Sequence, residues 1–109
     1  MIMPETTPTF ICEVGTEYVT GLSNCRIDIQ QGDLLIQKYY KEPGVIIDEE
    51  KGTICVTLTQ EQTHGLDSKK KLEVQVHGLL NDGTAWKTLI YSYKVGETIS
   101  DEILLPSND

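Results

Sequence analysis

The chain has 109 residues, with nine Lys and Arg against seventeen Asp and Glu, a length that fits one domain and excludes a two-domain enzyme. Its hydrophobic share of 39% suffices for a core, and its ordinary glycine, proline and charge contents exclude collagen-like, linker and low-complexity classes. A net charge of −8 repels phosphate backbones and anionic lipid, so neither nucleic acid nor membrane is an expected partner.

The opening Met1-Ile2-Met3-Pro4 has neither the basic region nor the apolar stretch of a secretory leader, so synthesis and folding in a cytoplasm are expected. No apolar run approaches the roughly 20 residues of a membrane-spanning helix. Cys12, Cys25 and Cys55 are odd in number and form no C-x-x-C pair, which argues against a disulfide framework and a zinc knuckle. Each falls in a strand-like stretch, where a free cysteine acts as a small buried hydrophobe.

After the lead Thr6-Thr7-Pro8-Thr9, residues Phe10 to Val14 read as a first strand ending at Gly15. From Asn24 the chain alternates strictly: Cys25, Ile27 and Ile29 share one face, and Arg26, Asp28 and Gln30 share the other, the period of a strand with one buried side. A turn at Gln31-Gly32-Asp33 leads to Leu34–Tyr40 at hairpin distance. Pro43-Gly44 breaks the chain before the short piece Val45 to Asp48. The acids of Asp48-Glu49-Glu50-Lys51-Gly52 have no ligand spacing and form a turn. Thr53 to Thr59 then points Ile54, Val56 and Leu58 one way and Cys55 and Thr57 the other.

Residues Gln60 to Leu66 lack alternation and form one helical turn, capped by Thr59 and stopped by Gly65, that crosses between sheets. Lys69-Lys70-Lys71 is a solvated lead into the next strand, in which Leu72, Val74 and Val76 alternate with Glu73, Gln75 and His77. Asn81-Asp82-Gly83 carries the hairpin signal, because Asp-Gly tolerates the positive φ of tight turns. The returning strand runs from Ala85 to Val95 with Trp86, Leu89, Ile90, Tyr91 and Tyr93. About seven strands with turns every ten residues or so are the signature of a β-sandwich. The strand, helical turn and strand of Thr53 to Val76 resemble the sheet crossover of immunoglobulin-like domains. The fold class is therefore all-β, an immunoglobulin-like Greek-key sandwich with one short helical turn. It is a single domain, 1–109, with a core at about 9–96 and an acidic tail at 97–109.

Direct search for chemistry finds no catalytic residues, no metal set and no cofactor loop: G-x-S-x-G, the P-loop, G-x-G-x-x-G and H-E-x-x-H are all missing from the sequence. No enzyme activity and no cofactor are expected. His64 and His77 have no metal spacing and read as solvated or structurally bonded. Among aromatic residues, Trp86 near the hairpin tip and Tyr39 are candidate partner contacts, with core packing the stronger expectation for Trp86. Ile103-Leu104-Leu105 in the acidic tail is a candidate docking strip.

The run Ile54-Cys55-Val56-Thr57-Leu58-Thr59-Gln60-Glu61-Gln62-Thr63, followed by Leu72-Glu73-Val74-Gln75-Val76-His77, the Asp82-Gly83 hairpin and the closing Lys94-Val95-Gly96, resembles small proteins of tailed bacteriophages and prophages. Their pattern reads V-x-L-T-Q-E-E-T, then V-E-V-Q-V-R, a D-G hairpin and K-V-G. Gln62 stands where the pattern often has Glu, and His77 where it often has a basic residue. The resemblance spans roughly Phe10 to Ile103. It implies a virion structural or assembly protein of the bacteriophage, similar to the N-terminal domains of baseplate upper proteins. Such a protein is made in the host cytoplasm, carried in the virion, and bound to other virion proteins and to itself as a homo-oligomer. The alternative is an adhesive or carbohydrate-binding module built on Tyr39, Tyr91 and Tyr93.

Overall fold

The strict alternation around Ile27 becomes the longest of the described strands, and the architecture is organised on it. The computed structural model describes residues 2, 4 and 6 to 96. In chain order the elements are β1 (Thr9–Glu13), α1 (Thr16–Val19), β2 (Leu22–Gln31), β3 (Leu34–Tyr39), β4 (Val45–Asp48), β5 (Thr53–Thr57), α2 (Gln60–His64), β6 (Leu72–Leu80), β7 (Ala85–Lys87) and β8 (Tyr91–Tyr93). Sheet one has the order β1-β5-β4. Sheet two has β3-β2-β6, with β7 and β8 both pairing β6, and every strand pairing is antiparallel.

One core joins the two sheets. Phe10, Cys12, Ile54 and Val56 come from sheet one and Cys25, Ile27, Ile29, Leu72, Val74 and Val76 from sheet two, all buried as the alternation requires. The chain passes from β1 in sheet one to the β2-β3 hairpin in sheet two, returns to the β4-β5 hairpin, and crosses back through α2. Helix α2 begins where the sequence places it. The Thr59 side chain accepts from the Gln62 N–H while the Gln62 side chain accepts from the Thr59 N–H, satisfying two backbone donors at once, and Gly65 caps the other end. Ile2 is paired in parallel with Val95, both buried.

Three expectations are corrected or extended. The strand expected over Ala85 to Val95 is broken into β7 and β8, so the described residues hold eight strands rather than about seven. Opposite β6 the register runs His77 with Lys87 and then Val74 with Tyr91, so three residues on one strand face two on the other. Thr88 repairs the ladder at this bulge: its N–H donates to the Val76 carbonyl, its Oγ1 accepts from the Val76 N–H, and its carbonyl accepts from the Gln75 side chain. Leu89 and Ile90 are thrown outward, 86% and 56% exposed, so Leu89 does not share the face of Tyr91 and Tyr93. A second short helix, α1, also accompanies the expected helical turn. It follows Gly15 at φ 112° without a side-chain cap, and buries Val19. The segment 97–109, with Ile103, Leu104 and Leu105, lies outside the described residues.

Candidate functional site

The polar face of β2 and its neighbours is the outer surface of sheet two, and register decides which of its side chains meet. Tyr39 of β3 is opposite Arg26 of β2, Arg26 is opposite His77 of β6, and His77 is opposite Lys87 of β7. Directly opposed residues project from the same side of a sheet, with Cβ atoms about 5 Å apart. An aromatic ring and three basic side chains thus form one row across four strands.

The next row places Gln37, Asp28 and Gln75 side by side. Asp28 is the hub. Its Oδ2 accepts from Arg26 Nη2 at 3.1 Å and lies 2.9 Å from His77 Nε2, while its Oδ1 accepts from Gln37 Nε2 at 3.1 Å. Arg26 Nε is 2.9 Å from Oδ1, a close charge contact rather than a well-directed hydrogen bond. Tyr39 continues the network by donating its hydroxyl to Gln37 Oε1 at 3.3 Å.

Two shallow depressions flank this network. One, of about 270 Å³, is bordered by Asn24, Arg26, Tyr39, His77, Gly78 and Leu79. The other, of about 340 Å³, is bordered by Gln30, Leu35, Gln37, Glu73 and Ile90 around Asp28. Exposed Leu35, Tyr39 and Leu79 place apolar surface beside the charges. A guanidinium and an imidazole next to an apolar wall, with Lys87 the next residue in the row, suit an acidic segment that also carries aliphatic side chains.

The outer face of sheet one has a different chemistry. Ile11 is opposite Cys55, and Cys55 is opposite Ile46. The two isoleucines are 63% and 65% exposed, one on each side of a half-buried thiol, so an apolar row crosses the whole sheet.

Tyr39 is on the outer face of sheet two, 46% exposed. Trp86 is half-buried on the inner side of the same sheet, its ring against Gly78 and its centroid 6.0 Å from that of Tyr18, with Nε1 lacking a hydrogen-bond partner. Tyr91 and Tyr93 also face inward, and Tyr93 packs edge-on against Phe10 at 4.8 Å. The three tyrosines named for sugar binding therefore do not form one patch. His77 and Cys55 lie on opposite outer faces.

Burial pushes the Cys12 thiol up to about 11, with the nearby Cys55 adding to the effect, and burial alone pushes Cys25 to about 11. Both are held as neutral thiols at neutral pH, unsuited to nucleophilic attack. Among the described residues no group of three or more His, Cys, Asp or Glu is placed to hold a metal ion, and no helix is long and apolar enough to cross a membrane.

Sequence reasoning identified the polar face of β2 but missed the Asp28 hub and the basic row. Arg26 and His77 are fifty-one positions apart and meet only because β2 pairs with β6. The signal within reach was the polar half of each alternation, Arg26-x-Asp28 and Gln75-x-His77, had the two strands been taken as neighbours. The chain matches no protein-family model and no curated protein sequence.

Proposed function

We propose that this chain is a non-enzymatic structural or assembly module of a tailed-phage particle, an immunoglobulin-like Greek-key sandwich acting through contacts with other virion proteins and with copies of itself. The strand order supports the Greek-key reading: one hairpin in each sheet, then a return through α2 that lays β6 between β2 and the final pair. The resemblance of Ile54 to Thr63, Leu72 to His77 and Lys94-Val95-Gly96 to phage and prophage proteins supports the setting.

The observation that carries the assembly reading is the row Ile11, Cys55, Ile46. Two isoleucines about two-thirds exposed, aligned by register on the outer face of an acidic domain, are surface that a partner covers. The other broad face has its own exposed Tyr39 and Leu79, so the module has two chemically different faces and suits multivalent packing. Size-exclusion chromatography with light scattering, over a wide range of protein and salt concentration, tests this reading. A discrete trimer, hexamer or larger ring is expected. A 12.2 kDa monomer under all conditions overturns self-assembly.

A further inference from the structure

The row Tyr39, Arg26, His77, Lys87 stands out in a chain whose acids outnumber its bases seventeen to nine. Arg26 is oriented by two contacts to Asp28 yet remains partly exposed, so the guanidinium is presented ready-formed to a further anionic partner. Beside it, the depression of about 270 Å³ between Tyr39 and Leu79 offers room for aliphatic side chains. The two requirements, negative charge and a short apolar run, are met together by one segment of this same chain. Residues 97–109 hold Glu97, Asp101, Glu102 and Asp109, no base, and the run Ile103-Leu104-Leu105.

We propose that segment 97–109 of one copy docks on the Tyr39, Arg26, His77, Lys87 row of a second copy. This rests on the self-assembly reading above and gives it a receptor and a ligand. The self-assembly reading selects the second copy, and strand direction agrees with it, because docking on the same chain would require the segment to reverse its course. β8 pairs Tyr91 with Val74 and Tyr93 with Leu72, so the chain runs toward the start of β6 and away from His77 and Leu79 near its end. The last described residue, Gly96, donates its N–H to Ile2 at that far end. From there thirteen residues extend up to about 45 Å, comparable with the 48 Å length of the described part, enough to reach a neighbour's row. Docking of this kind joins unlike surfaces head to tail, so it closes into a ring or grows as a filament.

The other basic cluster, Lys69-Lys70-Lys71, lies in and beside the turn that precedes β6, outside the register row that carries Lys87. It serves as the internal control.

The test titrates a fluorescein-labelled peptide of residues 97–109 into the full chain carrying Leu104→Asp, a change outside the described residues that puts a charge into the apolar run of the resident segment. Saturable binding is expected, weakened at least about tenfold when Lys87→Glu is added. It should also weaken on raising salt from about 0.05 to 0.5 M, and stay unchanged with Lys70→Glu. Circular dichroism confirms that each variant is folded. Absence of saturation up to about 1 mM peptide, or equal weakening by Lys70→Glu, overturns the proposal. Light scattering separates it from the wider reading. Wild type that assembles while Leu104→Asp assembles equally well refutes tail docking and leaves assembly standing. Wild type that stays monomeric while Leu104→Asp binds the peptide places the tail on its own chain and refutes the second copy.

Discussion

Gly78 shows how much one missing side chain can decide. It pairs with Trp86 across the hairpin, and a Cβ built on Gly78 would overlap the indole ring. The glycine is thus the floor on which the half-buried tryptophan rests. Gly78→Ala should displace the ring and cost about 1 to 3 kcal/mol, read as a lower urea midpoint with a shifted tryptophan emission. An unchanged midpoint and emission would mean that the ring does not sit there. The buried thiols set a second expectation. Cys12 and Cys25 ionise near 11 in the fold against 9.0 for the free group, so the unfolded chain loses its thiol protons first as pH rises. Their contribution is fully present below pH 9 and is lost as pH rises from about 9 to 11. Denaturation midpoints across that window check it, and replacing both cysteines by alanine should flatten the fall.

Edges and caps carry the argument for whole elements. β3 pairs only β2 among the described strands, and its Lys38 points inward, buried, with Nζ 3.8 Å from Glu42. An inward charge on an edge strand discourages a foreign strand from adding there, at a desolvation cost that so distant a partner offsets poorly. Lys38→Met should therefore raise the melting temperature, by on the order of 1 kcal/mol in stability, while increasing association seen by light scattering. A variant both less stable and no more associated would remove the guarding role. β4 is only four residues long, and the edge formed by β7 and β8 is interrupted at Thr88 to Ile90. What was legible in the sequence follows the same logic. β2 and β6 could be read because their buried and exposed positions alternate around Ile27 and Val74, β5 because Ile54 and Val56 are buried on either side of half-buried Cys55, and α2 because Thr59 and Gln62 are spaced as a capping box. α1 could not, since four residues after an uncapped glycine leave no periodicity to detect. The bulge at Thr88 could not either, because it depends on one hydroxyl replacing a displaced carbonyl across the strand pair. The Asp28 cluster required knowing which strands are neighbours.

At the scale of the molecule, the described part measures 48 × 36 × 21 Å, a thin slab whose two broad outer faces differ in chemistry. One carries the isoleucine row and the other the charged row, so salt should act on them in opposite directions, strengthening apolar contacts and weakening ionic ones. Ile46→Lys tests the first face. At 65% exposure the change should alter folding stability by no more than about 0.5 kcal/mol yet reduce association at high salt, measured by sedimentation velocity. Association unaffected by that change would remove the isoleucine row from the interface. The pairing of β2 with β6 has a consequence for how the chain is made. Synthesis delivers β2 long before β6, with the β3 turn, the first sheet's hairpin and α2 emerging in between. Until Leu80 has left the ribosome, Ile27 and Ile29 have no central partner strand beside them. Nascent chains stopped anywhere before that point should be captured by chaperones or degraded, and protease resistance should appear abruptly, rather than in steps, once β6 is free to join.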